Sequence, residues 1–97
     1  MFEIAVHADA DDELNASAAF YESKEPGLGE VFLHELAIAF QTLREFPLSC
    51  QIQFEEYRRY QMRRFPHGVI YCIENEIVFV LAVAHPSRRP GYWRNRR

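Results

Sequence analysis

The chain has two cysteines, Cys50 and Cys72, and they form neither a CxxC motif nor a disulfide framework. Cys72 lies in an apolar run and reads as a small buried residue. No apolar run approaches the ~20 residues that cross a bilayer. The opening MFEIAVHADADDEL lacks the basic start and long apolar stretch of a secretory leader, so a cytoplasmic protein with no membrane partner is expected. The four glycines are scattered, which excludes a glycine-rich phosphate loop. His34-Glu35 starts an HExxH pattern, but Ile38 stands where the second His belongs. The four histidines show no ligand spacing, so neither a metal nor a cofactor is expected. No GxSxG or Cys-His signature is present.

Charge is scarce in one sign at each end. Residues 1–57 carry twelve acids and only two bases, Lys24 and Arg44, a net −10. Residues 58–97 carry nine arginines, no lysine and two acids, a net +7, and the whole chain nets −3. Such polarity suits a polyanionic or acidic partner, and arginine supplies planar forks for phosphate or carboxylate. The alternative is that the two halves pair with each other in the fold.

With 97 residues, 48% of them apolar, a single domain spanning 1–97 with one modest core is expected. FEIAV (2–6) reads as a strand. A helix follows, with Asp9 as its N-cap and Asp11, Asp12 and Glu13 where the dipole favours acids. Leu14, Ala18 and Tyr21 mark its buried face, and Glu25-Pro26-Gly27 ends it. Leu28, Phe32, Leu36, Ala39, Leu43 and Phe46 form the apolar stripe of a second helix, which Pro47 ends. The short connection predicts a helical hairpin. Residues 48–56 read as a loop, and strands are expected at 57–64, 69–73 and 77–84. Asn75 suits a positive φ in the turn between the last two. IVFVLAVA (77–84) is apolar on both faces, as a central strand should be. The predicted fold is α+β, ordered β-α-α-β-β-β: a small, mainly antiparallel sheet with a helical hairpin on one face.

The residues with chemistry to offer lie in the last forty. Arg58, Arg59, Arg63 and Arg64 fall on the first strand of the hairpin sheet. His85, Arg88, Arg89, Tyr92, Trp93, Arg94, Arg96 and Arg97 follow the last strand. If the topology gathers them around one concavity, they supply cationic forks, a possible acid or base and rings for stacking. Plainer roles stay open beside these. Tyr92 and Trp93 can cover the sheet's open face, Pro86 and Pro90 can stop strand pairing, and His85 can be a structural hydrogen-bonder. Arg96 and Arg97 are expected to be a frayed tail.

The segments AAFYESKEPGLGEVFLHEL (18–36), Arg58-Arg59, RRFPHGVIY (63–71) and LAVAHPSRRPGYWRNR (81–96) occur in this order and spacing. Together they resemble the RelE/ParE superfamily of type II toxin–antitoxin toxins, also known as plasmid stabilisation proteins, over nearly the whole chain. The resemblance implies the same β-α-α-β-β-β fold and a cognate antitoxin that silences the toxin. It also implies one of two targets. RelE-like members cut mRNA on the ribosome without a metal, and ParE-like members inhibit DNA gyrase. In the nucleases an Arg stands three residues before the Tyr of the middle hairpin strand; here that Tyr is Tyr71, and position 68 is Gly. Arg88 and Tyr92 fall where nucleases keep an Arg and a Tyr, and Arg63, Arg64 or His67 could stand in for the missing one.

The ending HPSRRPGYW looks more like the ParE-type branch, so a ParE-like toxin that binds a target is the leading expectation. Its target-binding residues would be Arg59, Arg63, Arg88, Tyr92, Trp93 and Arg94. A nuclease would instead use His85 or Tyr92 to move protons and Arg59, Arg63 and Arg88 to hold phosphate. A third possibility is a degenerate domain that keeps only antitoxin binding. Val31, Ile38 and Phe40, off the main stripe of the second helix, are the expected antitoxin contacts, provided they are not fully buried. Operator DNA would be reached only through the antitoxin, because the helical half is acidic.

Overall fold

A computed structural model describes residues 1–97. Strand β1 (Glu3–Val6) leads directly into α1 (Ala8–Lys24), and α2 (Leu28–Glu45) returns across it. Strands β2 (Ile52–Phe54), β3 (Tyr57–Gln61), β4 (Gly68–Glu74) and β5 (Ile77–Ala84) follow. The sheet order is β1-β5-β4-β3-β2, with β1 parallel to β5 and every other pair antiparallel. The expected α+β architecture is therefore present, with three local corrections.

The N-cap of α1 is His7, not Asp9: the His7 Nδ1 accepts the Asp9 N–H at 3.0 Å. The helix starts one residue after β1 ends, so only position 7 keeps the extended backbone a cap needs. Asp9 and Asp11 then sit in the first turn, facing the helix dipole. Residues 48–56, expected as a loop, contain the short edge strand β2, joined to β3 with a bulge. Conversely β3 stops at Gln61, three residues before the expected end, because the chain leaves the sheet at Met62.

The helical hairpin is tied by one side chain. The Glu22 carboxylate accepts the N–H groups of Gly27 and Gly29 across the turn. Gly29 is required there, since a Cβ would lie 2.6 Å from the Ala18 carbonyl oxygen. The stripe of α2 buries Phe32, Leu36, Ala39 and Leu43 as predicted. Phe46 leaves it, 61% exposed, because the helix ends at Glu45.

One irregularity explains how β5 serves two cores. On β4, Val69, Tyr71 and Ile73 face the helices while Ile70 and Cys72 face away. On β5, Val78, Val80 and Val83 face the helices, and Phe79, Leu81, Ala82 and Ala84 face away. The alternation slips at Leu81–Ala82, where the register jumps from Tyr71↔Val80 to Ile70↔Ala82. That is a β-bulge, two residues opposing one. Asn75 and Glu76, both with positive φ, make the two-residue hairpin that joins the strands.

The second face is covered by the C-terminal segment. Trp93 is buried against Tyr57 edge-on at 4.8 Å, over Ile70, Cys72, Leu81, Ala82 and Ala84. Arg96 and Arg97 are not frayed. Arg96 holds both Glu13 carboxylate oxygens at 2.9 Å, lies 3.8 Å from Asp9, and donates to the Leu81 carbonyl. Arg97 bridges Glu56 and Glu74. Because β1 pairs with β5 only as far as Val80, the outer edge of β5 beyond it has no strand partner. The Val83 N–H donates to Glu13 and the Leu81 carbonyl accepts from Arg96, so an ion pair closes that edge.

A basic hollow and an α2 groove as candidate functional sites

Strands β2 to β4, the end of β5 and the terminal segment enclose a hollow of about 300 Å³. Three arginines, Arg59, Arg88 and Arg89, line it together with His85, over a floor of Ile70, Ala84 and Trp93. No acidic residue lines it.

Arg59 is held in place from behind. Its Nε and Nη2 donate to Gln61 Oε1 at 3.2 and 3.1 Å. Gln61 in turn donates to the carbonyls of Pro66 and His67 at 3.0 and 3.1 Å, anchoring the pair to the β3–β4 loop. The guanidinium lies flat across Gly68, so close that any Cβ at position 68 would collide with it. The glycine that departs from the nuclease pattern is thus the residue that makes room for Arg59.

His85 is oriented by its neighbour. The Ser87 backbone N–H donates to His85 Nδ1 at 3.0 Å, so in the neutral ring the proton sits on Nε2. Arg88 stacks over the Tyr92 ring at 3.9 Å, with its Nη1 3.5 Å from Glu13. Arg89 has no carboxylate within ion-pair range. Tyr92 reaches the hollow with its ring, but its hydroxyl donates to Glu13 at 2.7 Å. Burial first, and then the Glu13 carboxylate, push that phenol well above its ordinary pKa. Glu13 itself is raised by burial, but hydrogen bonds from Arg96, Tyr92 and the Val83 N–H outweigh this and leave it below the usual carboxylate range.

Behind His85 lies His67, 3% exposed. Its Nε2 is 3.2 Å from the Ser17 hydroxyl, and its Nδ1 is buried without a partner. Burial, followed by the charges of His85 and Arg59, lowers its pKa to about 4.

The hollow therefore brings together Arg59, His85, Arg88, Tyr92 and Trp93. It does not include Arg63 or Arg94. Arg94 stacks over Phe54 at 3.9 Å, outside the rim. Arg63 and Arg64 open onto the helical side, where they line a groove of about 360 Å³ with Val31, Ile38, Tyr60 and Glu35. There Glu35 Oε1 accepts the backbone N–H groups of Arg63 and Arg64 at 2.8 Å, while its Oε2 is buried and unpartnered. Ile38 is 51% exposed in this groove and Val31 is half-buried. Phe40 lies elsewhere, half-buried against the helical core. None of the three is fully buried.

Sequence reasoning missed Glu13, Glu35 and Gln61. Gln61 carried a signal, since i and i+2 on a strand share a face with Arg59. Glu13 and Glu35 meet their partners across more than 25 residues, and no local pattern announces that.

A structure titled "Chromosomal ParDE TA system from P. aeruginosa" superposes with a TM-score of 0.77 at 12% identity. The match covers 88% of this chain and 96% of that one, and at this identity it shows the shared fold. Among curated proteins no sequence matches significantly. The family model described as "ParE toxin of type II toxin-antitoxin system, parDE" matches residues 4–90. With that match spanning both helices, the whole sheet and most of the hollow's rim, the chain belongs to the ParE toxin family of type II toxin–antitoxin systems.

Proposed function

We propose that this toxin acts by binding and inhibiting a protein target such as DNA gyrase, and that a cognate antitoxin neutralises it. The observation that carries the reading is the hollow's composition: preorganised guanidiniums with no carboxylate among them, and no free acid–base pair. Hydrolysis of RNA needs proton transfer at both the attacking and leaving oxygens. His85 lines the hollow as a single proton carrier. The Tyr92 phenol is committed to Glu13, His67 is buried, and Arg63 opens onto the other side of the sheet, so no second carrier stands opposite it. A rigid, charged concavity with a buried aromatic beneath it suits recognition instead, with Arg and aromatic residues as hot spots.

The α2 groove supports the antitoxin half of the reading. Exposed Ile38 offers an apolar anchor in a groove it shares with Val31, Tyr60, Arg63 and Arg64. Operator DNA would be met through the antitoxin, since the helices carry most of the acids.

A supercoiling assay with purified gyrase tests the main reading. Inhibition near stoichiometric toxin, relieved by the antitoxin, is expected. Untouched supercoiling at large excess, together with new mRNA 5′ ends in induced cells, would replace it with the endoribonuclease reading.

A further inference from the structure

The hollow's charged donors are its side chains. Pro86 and Pro90 have no N–H, and those of Ser87, Arg88 and Tyr92 are already used inside the terminal turns. The N–H groups of Arg89, Gly91 and Trp93 have no acceptor in the chain, but each is separated from the next by a proline or a used N–H. No run of successive free N–H groups of the kind that cradles phosphate is therefore open. The rings are also occupied. Arg88 covers a face of Tyr92, and Trp93 is buried edge-on against Tyr57. A nucleic-acid strand would find phosphate partners but no free ring on which to stack its bases. What remains is a set of planar forks, of which Arg59 and Arg89 have no carboxylate partner in the chain, plus the Nε2–H of His85. Such forks match two-oxygen carboxylates bidentately.

We propose that the hollow is a carboxylate-recognition site, in which Arg59, Arg89 and the shared Arg88, with His85 Nε2–H, take adjacent acidic side chains from a segment of the target protein. This deepens the binding reading above and rests on it. Gly68 sets the geometry, because a Cβ there would collide with the Arg59 guanidinium that lines the hollow. The site lies across the sheet from the α2 groove, so an acidic target segment and an antitoxin in that groove contact different surfaces.

The test uses the full chain and fluorescein-labelled hexaglutamate at low salt. Saturable binding is expected, weakening as added salt screens the charges. Arg59→Ala and Arg89→Ala should each weaken it about tenfold, as expected for a hydrogen bond to a charged group. Gly68→Ala should do the same with no change of net charge, while Lys24→Ala, which removes one charge far from the hollow, should not. No binding, or equal losses in all four variants, would overturn the site. Tighter binding of a single-stranded oligonucleotide of equal charge, sensitive to the same variants, would overturn the carboxylate assignment in favour of nucleic acid. If Arg59→Ala abolishes peptide binding yet still arrests growth on induction, the hollow is not the target site, although the toxin reading survives. If hexaglutamate binds as described but the wild-type chain does not slow growth, the site stands and the toxin reading falls.

Discussion

Removing the Glu13 carboxylate should release the C-terminal segment from the fold. Glu13 and Arg96 are 13% and 14% exposed at their side chains, and two hydrogen bonds of 2.9 Å join them. In Glu13→Ala the Arg96 guanidinium loses its nearer counter-charge and keeps only Asp9 at 3.8 Å, the Val83 N–H loses its acceptor, and the Tyr92 hydroxyl loses its partner. Breaking a buried pair from one side costs roughly 3–5 kcal/mol, and an orphaned N–H adds on the order of 1 kcal/mol. The pair is not fully dry, so about 3 kcal/mol is expected in total. A domain of this size has roughly 5–15 kcal/mol to lose. Trp93 is the only tryptophan, so its fluorescence in urea titrations reports on the segment directly. Far-UV circular dichroism followed in parallel reports on helices and sheet. Arg96→Ala should cost less, because it leaves a carboxylate that can still take the Tyr92 and Val83 hydrogens. The double variant should show a coupling of about 1–3 kcal/mol between the two sites. A loss under 1 kcal/mol for Glu13→Ala, or a coupling near zero, would refute the claim that this ion pair closes the β5 edge.

Stability should fall in mild acid because of His67. Its folded pKa of about 4 lies below the ordinary 6.5, so the unfolded chain takes up a proton that the folded chain refuses. Stability is therefore lost as pH drops through 6.5, by roughly 3 kcal/mol in total once pH nears 4, and His67→Phe should flatten that part of the curve in denaturant titrations. Trp93→Ala should destabilise by roughly 3–5 kcal/mol, read by the shift in Tm, because it empties the centre of the second core. Gly68→Ala should leave Tm within a few degrees, since the colliding atoms belong to a movable side chain, while displacing Arg59. Ile38→Asp should weaken antitoxin binding by calorimetry at least tenfold without altering gyrase inhibition, as it places a charge in the α2 groove beside the unpaired Glu35 oxygen.

The architecture was legible because each long element carries its own period. The four-and-three spacing from Leu28 to Leu43 specified α2 and its buried face, and the two-sided apolar run 77–84 marked a central strand. Asn75 announced its turn through a backbone preference of its own. What stayed hidden depends on distant partners. The strand at Ile52–Phe54 has too few residues to show alternation and exists because β3 offers an edge. Arg96 and Arg97 read as a loose tail because their carboxylates are 83 and up to 41 residues away. The gathering of arginines around one hollow was anticipated with Arg59, Arg88, Tyr92 and Trp93 among its members, but Arg63 and Arg94 lie outside it. Which arginines face inward depends on β3 ending at Gln61, and that sends Arg63 and Arg64 to the helical side.

The division of labour among the arginines follows from one geometric event. The bulge at Leu81 shifts the alternation of β5, so that Ala82 and Ala84, not Val83, join the face away from the helices. Two small residues there leave depth over the sheet, and Trp93 from the terminal segment fills part of it. The rest is the hollow, with Ala84 and Ile70 at its floor. For Trp93 to reach that position the segment must cross the open end of β5, and this brings Arg96 to Glu13 and Arg97 to Glu56 and Glu74. Those two charges are neutralised by the chain's own acids and serve the fold. Arg59 and Arg89 have no acid within ion-pair range, while Arg88 lies 3.5 Å from Glu13. A chain with net charge −3 thereby keeps a concavity whose arginines, apart from the shared Arg88, have no carboxylate partner. Deleting Leu81 would restore a regular register with Ala82 and Ala84 still facing away from the helices and Val83 still facing them, so it should leave the hollow in place while removing the Leu81 carbonyl that accepts from Arg96.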